Sequence, residues 1–296
     1  MMPPIQTGDC THIITPSGPI THEREAFDHG IAVIKSHGLA AHIDPAVFAR
    51  HHYLAGTTAD RQKAVSDAWT NGDSSILWTS RGGMGALHLL PALQALPVPD
   101  QWLIGYSDVT ALFPLFWNHH RSVLHGASVT ALARWQDAAI EQQFEILKGD
   151  THRSYDLVGS NALAGNNHYQ GRLVGGNLSV LCSLIGVLPN IFGFDDEPLL
   201  LFIEDVQEAT YKIERMLVQL KLAGLLDRVQ ALVLGQFTNC NRLNDDATST
   251  TDALMRITEE LQIPAFYGLE VGHQRNSLPL LLGPGYQVDA TTLQTL

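Results

Sequence analysis

Cysteine is scarce in this 296-residue chain: Cys10, Cys182 and Cys240 are all there are. So odd and sparse a set makes no disulfide framework, and without a Cys-x-x-Cys pair it carries no zinc signature. Basic residues are few as well. Eighteen Lys and Arg against thirty Asp and Glu leave a net charge of -12. Binding to nucleic acid needs concentrated Lys and Arg to neutralise phosphate, so that class is set aside. Charged residues make up only 16% of the chain, too few for a disordered or coiled-coil protein. No apolar run reaches membrane-spanning length, so no membrane partner is expected. The first residues, Met1-Met2-Pro3-Pro4-Ile5-Gln6, show no basic segment followed by an apolar stretch, and a cytoplasmic location is the expectation. Internal repeats and low-complexity segments are lacking too. What is present is a 45% hydrophobic content, enough for a sizeable core, in a length that suits one large domain or two smaller ones.

The first half alternates short apolar runs with helical periodicity. Strands are expected at Thr11–Thr15, Leu39–Ile43, Ser75–Thr79 and Trp102–Gly105. Thr21 is read as the cap of a first helix, and Thr58 as the start of a second burying Ala64, Val65, Ala68 and Trp69. This rhythm predicts a layered parallel α/β sheet. Beyond Gly126 it changes. Residues 127–166 read as a connection that includes one amphipathic helix from Asp137, and Ser160–Gly171, containing Asn166, reads as loop. The domains are therefore expected at 1–126 and 167–296. In the second, Asn177 reads as a helix cap, Leu199–Ile203 and Ala231–Leu234 as strands, and Leu278–Leu282 as a late strand.

Three stretches carry possible chemistry. Gly105-Tyr106-Ser107-Asp108-Val109 ends a strand and opens a helical segment, the setting of a nucleophile elbow. Val109 stands where the G-x-S-x-G pattern has its second glycine, so this is no ordinary α/β-hydrolase elbow. Serine needs a base, a group that orients the base, and donors for the developing oxyanion. Glu204 closes the apolar run Leu199–Ile203, where a carboxylate is costly unless paired. Its partner is a histidine or, in a purely structural role, it caps a helix or pairs with Lys212 or Arg215. Among fourteen histidines, His273 stands out by following Gly272 just past an expected strand end. The pairs His51-His52 and His119-His120 lie in polar surroundings and read as solvated. The order Ser107, Glu204, His273 is nucleophile, acid, base. The turn Arg81-Gly82-Gly83-Met84-Gly85 lacks the Lys-Ser/Thr ending of a phosphate loop, and its bare amides suit an oxyanion hole shared with the amide of Asp108.

Taken in order, Thr15-Pro16-Ser17-Gly18, Tyr53-Leu54-Ala55-Gly56-Thr57, Ser80-Arg81-Gly82-Gly83-Met84-Gly85, Gly105-Tyr106-Ser107-Asp108, Gly175-Gly176-Asn177-Leu178, Phe202-Ile203-Glu204-Asp205, Ile213-Glu214-Arg215 and Gly272-His273 resemble the LD-carboxypeptidase family, the S66 serine peptidases. The resemblance spans nearly the whole chain. Met84, where an aromatic is frequent, and Gln207-Glu208-Ala209-Thr210 depart from the family pattern outside the three site residues. It implies an α/β fold with an N-terminal layered parallel-sheet domain and a smaller C-terminal β-rich or barrel-like domain, the site lying where the two meet. It also implies Ser107 as nucleophile, Glu204 as orienting acid, His273 as base, and the amides of Gly83 and Asp108 as the oxyanion hole. Arg81, Gly82 and Arg275 are the choices for holding a substrate carboxylate. The implied activity removes a terminal D-alanine from a murein tetrapeptide in peptidoglycan recycling, with no metal or cofactor, by a homodimer. A same-family hydrolase of peptidyl-nucleotide antibiotics, a muropeptide-binding module without catalysis and a nucleotide-binding α/β protein are the rivals.

Overall fold

A computed structural model describes residues 2–165, 167–194, 196–240 and 249–296. Asn166, at the end of the expected connection, lies outside them. The chain divides into two compact units, Met1–Thr151 with Leu278–Leu281, and His152–Ser277 with Leu282–Leu296.

In the first unit, β1 (Cys10–Ile14), α1 (Arg24–Ser36), β2 (Ala40–Ile43), α2 (Thr58–Thr70), β3 (Ile76–Thr79), α3 (Leu90–Leu93), β4 (Trp102–Gly105), α4 (Phe113–Trp117), β5 (Val123–His125) and α5 (Asp137–Leu147) follow one another. β4, β3, β1 and β2 are parallel neighbours, and β5 extends the order beyond β4. Both faces of such a sheet are covered, and β3, β4 and β5 are accordingly buried at every position. Residues 127–151 lie within this unit: Ala127, Val129, Phe144 and Leu147 join Trp78 and Ile104 in one core cluster. α2 opens on a capping box between Thr57 and Asp60. Thr21 does not cap α1. The helix starts at Arg24, and the residue before it, Glu23, makes no side-chain cap because its carboxylate faces Arg81 and Arg134.

The second unit runs β6 (Ser154–Asp156), β7 (Gly159–Ser160), β8 (Tyr169–Asn177), α6 (Leu178–Ser183), β9 (Leu199–Val206), α7 (Thr210–Leu222), β10 (Val229–Thr238), α8 (Thr250–Glu260) and β11 (Ala265–Tyr267). After β12 (Leu280–Leu282) come β13 (Gly285–Val288) and β14 (Thr292–Thr295). Among the described residues the second sheet is ordered β6-β14-β13-β8-β9-β10-β11-β7, mixed and eight-stranded. β12 instead joins the first sheet, beside β5. The fold is thus mixed α/β with two sheets.

The expected loop Ser160–Gly171 is partly strand. Tyr169 to Gly171 open β8, which runs between β13 and β9 and continues through Gly175 and Gly176. Glycine reads as a breaker, yet here it lets two backbones touch. A β-carbon at Gly175 would lie 1.8 Å from the Phe202 carbonyl oxygen, and one at Gly171 2.6 Å from that of Pro198. Among the described residues no helix is long and apolar enough to cross a membrane.

Candidate active site

In the first unit, the segments after three adjacent parallel strands converge at the carboxyl end of the sheet, where α/β folds collect ligands. β4 ends at Gly105, Tyr106 is extended, and Ser107 adopts φ 64 before a 3-10 turn over Ser107–Leu112. A left-handed non-glycine residue costs about 1–2 kcal/mol, and such strain persists where the surroundings over-determine it. The surroundings here are tight. A side chain at Gly105 would strike Thr79 Oγ1 at 2.4 Å and the methyls of Val109 at 3.0 and 3.1 Å. The glycine thus makes room for Val109, the residue by which this elbow departs from the common pattern.

Gly82 packs directly on the serine. A β-carbon there would sit 3.0 Å from Ser107 Cβ and 3.2 Å from Oγ. Gly83 has φ 123, and the Gly18 amide donates to the Gly82 carbonyl at 3.1 Å. Two groups that the sequence reading left unassigned hold these loops. The Asp108 carboxylate accepts from Ser17 Oγ at 2.6 Å and from the Ala86 amide at 2.9 Å. Burial pushes this carboxyl up, against the pull of Ser17, Ala86 and Arg61. Arg61, only 2% exposed, donates to the carbonyls of Pro16 and Gly85, the latter at 2.8 Å. A signal for Arg61 existed: it falls on the buried stripe of α2 with Val65, Ala68 and Trp69, where a guanidinium must find acceptors. Asp108 offered none beyond its place after the serine. Arg81 is half-buried. Its Nη1 donates to the Pro19 carbonyl at 3.1 Å and lies 3.3 Å from Glu23.

In the second unit, β9 carries Glu204 and Asp205 between its parallel neighbours β8 and β10. Glu204 is fully buried, and its Oε2 lies 2.7 Å from His273 Nδ1. Gly235 leaves space for it, since a β-carbon there would come 3.2 Å from that of Glu204. Lys212 pairs instead with Glu208, and Arg215 lies over the Tyr211 ring. With Nδ1–H donating to the carboxylate, the neutral ring presents its lone pair at Nε2. Burial favours the neutral imidazole, but the charge and hydrogen bond of Glu204, with Asp205 behind, hold His273 above its usual value. Asp205 accepts from the Ser179 and Val206 amides and from Asn177 Nδ2. Burial and the neighbouring Glu204 push it up to about 6. Asn177 caps α6 through the Val180 amide, as expected.

The His273 loop is fastened to β10. The Gln236 amide donates to the Val271 carbonyl at 2.8 Å, and Gln236 Oε1 accepts from the Gln274 amide at 3.1 Å. Arg275 is exposed, two residues beyond the histidine. Among the described residues no three His, Cys, Asp or Glu side chains are grouped to hold a metal ion.

A strained serine on a parallel sheet in one unit, and a buried carboxylate–imidazole pair in the other, are features of the hydrolytic class. Residues 11–126 match the LD-carboxypeptidase N-terminal domain and residues 170–288 the LD-carboxypeptidase C-terminal domain. The chain belongs to the LD-carboxypeptidase family. It is 30% identical to the murein tetrapeptide carboxypeptidase of Pseudomonas aeruginosa, over 88% of this chain and 87% of the relative. It is 27% identical to the microcin C7 self-immunity protein MccF of Escherichia coli, over 97% and 92% of the two chains. Among solved structures, a muramoyltetrapeptide carboxypeptidase from Oxalobacter formigenes aligns with a TM-score of 0.81 at 25% identity, covering 96% of this chain and 98% of that one.

Proposed function

We propose that this protein is a serine-type LD-carboxypeptidase that releases the terminal D-alanine from murein-derived tetrapeptides. The observation that carries the proposal is the 2.7 Å contact between His273 Nδ1 and the fully buried Glu204. Similarity to the murein tetrapeptide carboxypeptidase supports the substrate class. In the proposed reaction His273 Nε2 takes the Ser107 hydroxyl proton as Oγ attacks the carbonyl carbon before the terminal residue. The amides of Gly83 and Asp108 hold the oxyanion. The C–N bond breaks as His273 passes its proton to the leaving amine. Water then attacks the ester carbon, giving a proton to His273, and the C–Oγ bond breaks as His273 returns that proton to Ser107. Glu204 fixes the ring's tautomer and stabilises the imidazolium. The proposal places this chemistry in the cytoplasm, in peptidoglycan recycling, by a homodimer.

The likeness to MccF favours one second reading, hydrolysis of a peptidyl-nucleotide conjugate. The purified protein should release D-alanine, resolved by chromatography, from a muropeptide tetrapeptide faster than it cleaves a peptidyl-nucleotide at equal concentration. The reverse preference selects the second reading, and tetrapeptide binding without turnover rejects both.

A pH profile follows from the electrostatics. The base must be neutral, and His273 is held above its ordinary value of 6.5. The acid limb of kcat/KM should therefore lie above pH 6.5. Asp205, pushed up only to about 6, is largely ionised across that limb and favours the imidazolium. Asp205→Asn should move the midpoint to lower pH. A midpoint that stays in place would remove His273 as the titrating group or Asp205 as its neighbour.

A further inference from the structure

We infer that Arg81 and Arg134, gathered around Glu23 beside Ser107, recognise the free C-terminal carboxylate of the substrate. This rests on the proposed carboxypeptidase activity and adds to it the group that makes the enzyme a carboxypeptidase and not an endopeptidase.

Two guanidiniums share one carboxylate. Arg81 Nη1 lies 3.3 Å from Glu23 Oε1, and Arg134 Nη1 lies 3.3 Å from Glu23 Oε2. Burial pushes the Glu23 carboxyl up, yet the two arginines together bring it below its usual value. Glu23 therefore stays ionised, and the trio carries one surplus positive charge, in a protein whose net charge is -12.

Neither contact is a good ion pair. Charge-assisted bonds settle near 2.7–2.9 Å, and arginine with carboxylate favours a two-pronged fork. Here each arginine stands 3.3 Å from Glu23. A second carboxylate would balance the surplus charge and could take the shorter, two-pronged contact that Glu23 does not make.

Both arginines also adjoin residues that neighbour the serine. Arg81 precedes Gly82, whose α-carbon faces the Ser107 hydroxyl. Arg134 hydrogen-bonds the hydroxyl of Tyr106, the residue before Ser107. The side chains of Arg81, Arg134 and Glu23 are 30%, 47% and 24% exposed, open to a ligand yet partly shielded from water. Partial shielding is what lifts an arginine–carboxylate contact above the small worth of a surface pair. The fork geometry also suits a planar carboxylate better than a lysine would.

A purely structural reading exists, in which the trio only ties the start of α1 to the glycine turn. The two readings separate on substrate choice. The experiment compares a tetrapeptide ending in free D-alanine with the same peptide as its C-terminal carboxamide. Wild-type protein should prefer the acid by roughly 10- to 100-fold in kcat/KM, the worth of a hydrogen bond to a charged group. In Arg81→Gln and Arg134→Gln that ratio should fall toward one, through a higher KM for the acid. Arg134→Lys should recover part of it. A ratio that persists in both glutamine variants, with acid and amide falling together, overturns the inference. Should wild type turn over neither peptide, the carboxypeptidase reading fails by itself. Calorimetry with the two peptides then decides the arginine site: tighter binding of the acid, lost in the glutamine variants, supports it. Equal binding of acid and amide, or none, overturns it.

Discussion

Ser107→Ala is expected to lower D-alanine release by about 10⁶-fold, leaving only what binding and oxyanion donors supply. Its hydroxyl is the group assigned to attack, and no neighbouring side chain can substitute for a bond-forming atom. The same position predicts a stability change of unusual sign. Ser107 sits at φ 64, and alanine keeps that strain because its β-carbon meets the same clash. Glycine does not, so Ser107→Gly should be as inactive as the alanine variant but more stable than wild type by about 1 kcal/mol. Chromatographic assay and denaturant unfolding test the two halves separately. An alanine variant retaining a hundredth of the wild-type rate would point to another nucleophile. A glycine variant no more stable than wild type would mean the turn carries no strain.

Glu204→Gln is expected to lower kcat by about 10⁴-fold, the cost seen when the orienting acid of a serine peptidase becomes an amide. The substitution keeps volume in a site that is fully buried, so packing should survive. What changes is charge. The carboxylate's field and hydrogen bond are what raise His273 against the effect of burial. With them gone, burial prevails and the imidazole should titrate below 6.5. The variant should thus be slow and also show its acid limb at lower pH, a pairing that general misfolding does not produce. Imidazole titration by NMR checks the second part independently of turnover. An imidazole that still titrates above 6.5 in the variant would detach His273 from Glu204.

Much of the frame was legible in the residues. β4 was expected at Trp102–Gly105 and occupies those residues, because a buried parallel strand is a short apolar run with a sharp end. Glu204 drew attention through the cost of a carboxylate closing such a run, and in the folded chain the group beside it is His273, 69 residues on. The illegible parts share a cause: their logic is tertiary. β8 hides behind Gly171, Gly175 and Gly176, which local propensity reads as breaks and the sheet uses for backbone contact. Asp108 looked useful only for its amide. Its side chain, joined to Ser17 91 residues away, ties loops that no local pattern connects. The Glu23 trio is similar, since Arg134 lies 111 residues from its carboxylate partner.

The placement of β12 bears on how the molecule is made. Leu278–Leu281 belongs to the first unit, and Leu281 is part of its core. On the ribosome, the sheet that presents Ser107 therefore waits for Leu280–Leu282, made long after the serine itself. Until they emerge, the outer side of β5 is an open edge, the kind of template on which nascent chains mispair. The acid and base are already synthesised by then. Maturation of the serine-bearing sheet thus follows synthesis of its partners in chemistry, and a chain cut short before Leu278 carries its serine on an unfinished sheet.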